Sequence, residues 1–395
     1  MKDSLNRNII ACYISDIVLG TFFQLPIWIV YQSQFLSFEQ IAFFAGLALI
    51  VEVLTQMPTG AFADIYGRKI ALALGNLFMA LPMFLIAIFP KPEIMWAYAI
   101  MWGLGTSLCM GTNKAILYES LVENGEKEKY PKLLSNSRLI FQITAAVSIV
   151  AGGYLYQINP TLPYYISGVF SLLGMATSFI FIEQKTLIEF KFNDFVKKNS
   201  LGFLEMFKNS YVTKFTILFV VMSGIASANQ KFLTQPYMVE LGMGDIQRGW
   251  TATIIKVLIA IVGAWLITSK FVSKNKNFIL LIPILMVVML LPAKFVELPA
   301  AYLILIGIAF ASGNVDLFMS AEINENISSD VRSTTLSAQK MISSFVGASV
   351  QWLSAYVIVR ESVGNFYTYL GIFSLIVILP LAISVTHHKH KIVKK

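Results

Sequence analysis

Charge is what this sequence has least of. Among its 395 residues only 13% are Asp, Glu, Lys or Arg, against 56% that are hydrophobic. A water-soluble domain of this size has no interior large enough to hide that much apolar surface, so the composition excludes most soluble enzymes and points to an integral membrane protein. Cysteine and histidine are nearly absent. Cys12 and Cys109 each lie inside an apolar run without Cys-x-x-Cys or Cys/His spacing, which excludes a disulfide framework and a structural zinc site. We expect both to face lipid or fill packing gaps, and we expect no metal site. His387, His388 and His390 crowd into a Lys-rich C-terminal tail suited to anionic headgroups, so no histidine is left for catalysis. No Gly-x4-Gly-Lys-Ser/Thr loop occurs, which removes nucleotide as a partner and ATP as the energy source in this chain.

What is present is a series of long apolar runs. A helix needs about 20 mostly apolar residues to cross the hydrocarbon core. Segments of that size fall at 9–31, 38–62, 70–90, 94–121, 134–157 and 163–182, then at 212–236, 247–268, 277–294, 298–324, 332–358 and 365–386. The net charge of +8 is scattered in short stretches between these runs rather than gathered on one soluble face, which argues against nucleic acid as a partner. Most basic residues fall in alternate loops, such as Arg68 and Lys69, Lys127 to Lys132, Lys185 to Lys208 and Lys270 to Lys276. The intervening loops hold only Lys91, Arg248, Lys294 and Arg360. By the positive-inside rule both termini lie in the cytoplasm. The first apolar run is too long for a signal-peptide core and has no small-x-small cleavage site, so it is read as a retained span.

Residues 183–211 form the one long polar interruption, with Leu and Phe at helical spacing in 201–207. We read it as a cytoplasmic tether with a short amphipathic helix at the interface, between an N-terminal six-helix bundle at 1–182 and a C-terminal bundle with its basic tail at 212–395. The halves echo one another. Leu134, Ser135 and Arg138 recur as Leu336, Ser337 and Lys340, and Ala146 and Tyr154 as Ala348 and Tyr356. Gln24, Tyr31 and Glu39 are matched by Gln230, Tyr237 and Asp245. Such a duplication is expected of a carrier whose site lies between two repeats near the bilayer midplane.

Between the second and third spans runs Gly60-Ala-Phe-Ala-Asp64-Ile-Tyr-Gly67-Arg68-Lys69, preceded by Pro58-Thr59. This loop closely resembles the signature of the major facilitator superfamily, and with the six-plus-six plan the resemblance covers essentially the whole chain. It implies an all-α fold of twelve transmembrane helices in two pseudo-symmetric six-helix bundles. It also implies a gate formed by Gly60, Asp64, Gly67, Arg68 and Lys69. Gly60 would permit close helix packing, Gly67 a tight turn, and Asp64 would accept hydrogen bonds from the start of span 11, here Ser329 to Ser333, to latch the cytoplasmic side. Leu117-Tyr118-Glu119-Ser120-Leu121 and the Pro-Thr-Gly approach resemble a bacterial branch that includes tetracycline-like and macrolide-like exporters. The proton-antiport patterns of such exporters are incomplete, since Ile29 and Ala99 stand where a proline and an arginine are usual.

Ionisable residues inside spans are costly in hydrocarbon and are the first place to look for function. Asp16, Lys114 and Asp316 share one depth, about 12 Å from the cytoplasmic ends of their spans at helical rise. We expect Lys114 to pair with Asp16 or Asp316. A buried carboxylate that exchanges a lysine partner for none changes its proton affinity, which suits a relay. In the family spans 1, 4, 7 and 10 line the central cavity. That makes Gln24, Trp28, Asn113, Asn229, Gln230, Lys231 and Asn314, with Lys256 of span 8, the candidates for contact with solute. Glu119 and Arg138, with Glu322 and Lys340 at matching places in the other half, suggest cytoplasmic salt-bridge clusters.

Together these features predict a monomeric secondary transporter in a bacterial cytoplasmic membrane, needing no cofactor beyond an ion gradient. Its partners would be a small-molecule solute and the lipid bilayer. The expected task is proton-coupled efflux of amphipathic, drug-like compounds. The alternatives are uptake of a small anionic metabolite by way of Lys231 and Lys256, and a transporter-derived sensor or scramblase. No catalytic cluster of His or Cys with a base lies within the spans, so an enzyme is not expected.

Overall fold

The computed structural model describes residues 2–183, 200–268, 280–326 and 332–393. All regular structure among the described residues is helical. Seven of the helical stretches are by themselves long and apolar enough to cross a membrane, and Leu281–Phe295 and Ala301–Val315 add shorter apolar ones.

The chain divides into two compact units. The first comprises Met1–Ser37, Leu47–Phe190 and Gly244–Thr253, and the second Phe38–Gly46, Lys191–Met243 and Ile254–Lys395. The units are therefore not strictly sequential. The offset that relates Gln24 to Gln230 and Tyr31 to Tyr237 also carries Phe38 to Gly244. The two exchanged segments are thus repeat-equivalent, and each is the start of a second span. Close contacts explain their membership. A Cβ on Gly46 would stand 2.4 Å from Trp352 Nε1, and one on Gly249 would stand 3.0 Å from the Ile149 carbonyl oxygen. Most of the tether, 184–199, lies outside the described residues. Its described end is helical over 200–205, with Met206 buried and Leu201, Phe203, Leu204 and Phe207 exposed.

In the first unit α1 (Lys2–Leu19) and α2 (Trp28–Gln32) replace the single expected first span. α3 (Phe38–Tyr66) and α4 (Arg68–Ile88) meet at Gly67, whose φ of 106° is a conformation glycine adopts without steric cost. The fourth span is also divided, into α5 (Ile94–Cys109) and α6 (Thr112–Glu123), at Gly111 with φ 77°. α7 (Tyr130–Ile158) and α8 (Leu162–Ser178) each begin with a proline in the first turn, where its missing N–H costs nothing. α4 packs on α5 and α8. Lipid supplies no hydrophobic drive between helices, so small residues bring the backbones close. A Cβ on Gly105 would stand 2.8 Å from the Gly75 carbonyl oxygen, and one on Gly75 would stand 2.6 Å from Cys109 Sγ.

In the second unit α9 (Ser210–Ala228) starts at Asn209, whose side chain accepts from the Val212 N–H. It runs through a π-turn at Asn229–Leu233 into α10 (Thr234–Glu240). Then follow α11 (Asp245–Thr268), which belongs to this unit from Ile254 onward, α12 (Leu281–Leu290), α13 (Ala301–Asn326), α14 (Arg332–Arg360) and α15 (Val363–Phe373). A second π-turn at Ser374–Ile378 leads into α16 (Leu379–Val393). α9 packs on α13, α14 and α16, and α12 on α13 and α15. α12 is shorter than the expected 277–294, because 277–279 lie outside the described residues and Pro292 turns the chain into a 3-10 turn at Ala293–Phe295. α16 continues to Val393, so the basic tail starts as helix.

Candidate functional site

Breaks in helices α1–α2 and α5–α6 frame a buried charged cluster. Cys12 and Asp16 lie one turn apart on one face of α1. The leucine and isoleucine face of α6, with Ile116, Leu117 and Leu121, packs against Leu5, Ala11 and Cys12. That packing brings the first turn of α6, just past Gly111, to Asp16. Lys114 Nζ lies 2.5 Å from both carboxylate oxygens of Asp16, and Asn113 Nδ2 donates to Oδ1 at 3.0 Å and to Ser15 Oγ at 3.3 Å. From α7, Ser137 Oγ donates to Asp16 Oδ2 and accepts from Lys114 Nζ. Asp16 is 3% exposed, Ser137 is fully buried, and 21% of the Lys114 side chain remains accessible.

A buried ion pair holds only where its remaining lone pairs and protons find partners. Here Asn113 and Ser137 supply them. Cys12 completes the surround, with Sγ 3.5 Å from Lys114 Nζ. Of the two expected partners for Lys114, the described contacts give Asp16; the side chain of Asp316 lies outside the described residues. Cys12 was expected only to face lipid or fill a packing gap, and Ser137 was not singled out in the sequence.

The candidates for solute contact separate into two groups. Gln24, Asn113, Asn229 and Asn314 are buried in helix contacts. Ser167 Oγ donates to Gln24 Oε1 at 2.7 Å, and Asn314 Nδ2 donates to the Phe310 carbonyl one turn back at 2.9 Å. Buried amides must be hydrogen-bonded, and neighbouring helix groups satisfy these. Gln230 and Lys231 are exposed, and Trp28 and Lys256 half-buried. Around the π-turn of the second unit, Asn229 Nδ2 donates to Ser312 Oγ at 3.1 Å, Tyr367 OH donates to Asn229 Oδ1 at 2.6 Å, and Gln230 Nε2 donates to the Ser312 carbonyl at 2.7 Å. A cavity of about 10 Å³ lies beside this network, with room for one water. It is too small to hold a mid-sized solute.

The motif between α3 and α4 is assembled in part as expected. Arg68 Nη2 lies 3.3 Å from Asp64 Oδ1, and Nη1 lies 2.7 Å from Glu119 Oε1. Glu119 therefore faces the motif arginine. Arg138 is exposed, and the described residues show no ion pair between it and Glu119. The expected cluster is redrawn accordingly in this half, because α6 delivers Glu119 to Arg68. Its counterpart in the other half rests on Glu322, whose side chain lies outside the described residues, while Lys340 is exposed. No described atom comes within 4 Å of where a Cβ on Gly60 would stand. Of the partner expected for Asp64, Ser329 to Ser333, residues 329–331 lie outside the described residues and α14 begins at Arg332. Lys69 is half-buried, and its N–H points to Glu183, which sequence reading passed over. Among the described residues no group of acidic, His and Cys side chains could hold a metal.

Residues 10–351 match the profile of the Major Facilitator Superfamily. The chain belongs to that superfamily. It is 26% identical over 232 residues to the MFS-type transporter YxaM of Bacillus subtilis (strain 168), which covers 57% of each chain. It is 23% identical over 232 residues to Multidrug resistance protein 1 of the same organism, covering 58% of this chain and 56% of that one. The matches span little more than half the length of these curated relatives. The nucleoside transporter NupG superposes with a TM-score of 0.75 at 14% identity, covering 97% of this chain and 98% of that one. A D-xylose-proton symporter superposes with a TM-score of 0.70 at 12% identity, covering 96% and 99%. At these identities the likeness is one of fold. This superfamily member is thus an all-helical multi-pass membrane protein whose relatives are transporters, not enzymes.

Proposed function

We propose that this protein is a secondary transporter that moves a small solute by alternating access, and that its task is proton-coupled export of amphipathic, drug-like compounds. The observation that carries the reading is the Asp16–Lys114–Ser137 cluster, a fully hydrogen-bonded ion pair beside two broken helices. Broken helices expose backbone groups that are tolerated only where they are buried in protein or line a cavity, which is where carriers hold solutes and ions. If Lys114 leaves Asp16 in one conformation, the carboxylate must take another cation, and a proton is the smallest. A small energetic difference between the paired and protonated forms biases the conformational equilibrium. The name of the relative Multidrug resistance protein 1 supports drug-like solutes as the class. Asp64, Arg68 and Glu119 form the cytoplasmic gate in this reading, with the two six-helix repeats and the cytoplasmic tether as its moving parts. The protein works as a monomer in the cell membrane with both termini inside.

The test uses the purified chain in proteoliposomes with a pH-sensitive dye inside. Tetraphenylphosphonium, ethidium, tetracycline and benzoate are added in turn to wild type and to Asp16→Asn. Proton movement with one of the cations or tetracycline, lost in Asp16→Asn, supports the reading. Benzoate-driven movement alone moves the assignment to anion uptake, and silence with every solute removes proton coupling.

A further inference from the structure

The turn between α3 and α4 meets two carboxylates that its motif does not supply, Glu119 on the Arg68 guanidinium and Glu183 on the backbone. Glu183 lies just past α8, where the tether begins. Its Oε1 accepts from the Arg68 N–H at 2.5 Å and its Oε2 from the Lys69 N–H at 3.3 Å. These are the first N–H groups of α4, which have no partner within the helix and carry the positive end of its dipole. A carboxylate placed there makes charge-assisted bonds to otherwise orphaned donors. No side chain of the preceding turn does this work, since residue 67 is glycine and offers no capping group.

Gly67 is glycine for two separate reasons. Its φ of 106° disfavours any side chain, and a Cβ there would stand 2.9 Å from Glu183 Oε2. The space over Gly67 is occupied by the Glu183 carboxylate. Meanwhile the guanidinium of Arg68 reaches the other way, to Asp64 and Glu119. Arg68 is thus held at its backbone by one carboxylate and at its side chain by two others.

We propose that Glu183 is a positioning residue for the gate turn: it caps α4 over Gly67, fixes where Arg68 presents its guanidinium, and ties the beginning of the tether to the turn so that both move together. This rests on the reading of Asp64 and Arg68 as the gate.

The test reads amide hydrogen exchange and transport in the full-length chain. In wild type the Arg68 and Lys69 amides exchange slowly for helix-start groups. In Glu183→Ala they exchange about tenfold faster with the middle of α4 unchanged, and Glu183→Gln, which keeps one acceptor oxygen, falls between. Gly67→Ala lowers the melting temperature in detergent less in the Glu183→Ala background than in wild type, because the carboxylate its methyl would meet is gone. Tetraphenylphosphonium counterflow slows in Glu183→Ala with its KM unchanged, and Glu183→Gln recovers part of the rate. Equal exchange in wild type and Glu183→Ala overturns the proposal, as do strictly additive Gly67 and Glu183 effects. Fast exchange in Glu183→Ala with full counterflow in both Glu183→Ala and Asp64→Asn shows that the cap exists but that the turn is no gate, and the positioning role falls with it.

Discussion

Ser137 and Gln339 occupy the same place in the two repeats, separated by the offset that relates Ser135 to Ser337, and both are fully buried. Around Ser137 the chemistry is ionic, with the Asp16 carboxylate, the Lys114 ammonium and the serine hydroxyl in mutual contact. Around Gln339 the described contacts are neutral, and the side chain of Asp316, which the same offset relates to Lys114, lies outside the described residues. Gln339 Nε2 donates to Thr216 Oγ1 at 3.0 Å, and its Oε1 has no hydrogen-bond partner among the described residues. Farther along α9, the second unit's polar centre is again neutral, built from Asn229, Ser312 and Tyr367. Among the described contacts, one repeat holds an ion pair at this place and the other holds neutral hydrogen bonds. The lesson is that repeat symmetry locates equivalent places, while the residues there decide which place can carry charge.

The comparison can be broken most forcefully at Asp16. Asp16→Ala leaves the Lys114 ammonium without its carboxylate in a mostly buried site and is expected to destabilise the protein by about 3–5 kcal/mol, read from its melting in detergent. The double variant Asp16→Asn/Lys114→Gln removes both charges and is expected to recover most of that stability without recovering solute-driven proton movement. Ser137→Ala comes next. It removes hydrogen bonds to two charged groups and should cost about 1.5–3 kcal/mol. In the second unit Asn229→Ala strands Tyr367 and Ser312, and a loss of about 1–3 kcal/mol is expected with proton coupling intact. The smallest change is expected of Gln339→Leu/Thr216→Val, which replaces both partners of a neutral bond by apolar groups and should shift stability by less than about 1 kcal/mol. An effect there as large as that of Asp16→Ala would erase the contrast.

Much of this was legible in the sequence for reasons of physics. Helices crossing a membrane must be long and apolar, so their existence and order follow from composition, and α3, α7 and α14 match their expected spans to within a few residues. Asp16 and Lys114 stood out because charge in an apolar run is rare. The breaks in the first and fourth spans were missed, since averaging hydropathy over a span hides Gly20, Pro26 and Gly111, each of which marks or adjoins a break. Ser137 and Cys12 carry no signature that separates a ligand from packing. Glu183 was beyond reach because its role depends on the chain returning to Arg68 from 115 residues away. For Gly60 the described residues give no close neighbour, and residues 327–331 near the expected span 11 start lie outside them.

The most direct measurement is proton release from purified protein in weakly buffered detergent when a solute that passes the flux screen is added. Wild type and Gln339→Leu/Thr216→Val should release protons alike, and Asp16→Asn/Lys114→Gln should release none while still binding the solute. Equal release from that charge-free variant would contradict the assignment of coupling to the first repeat's ion pair.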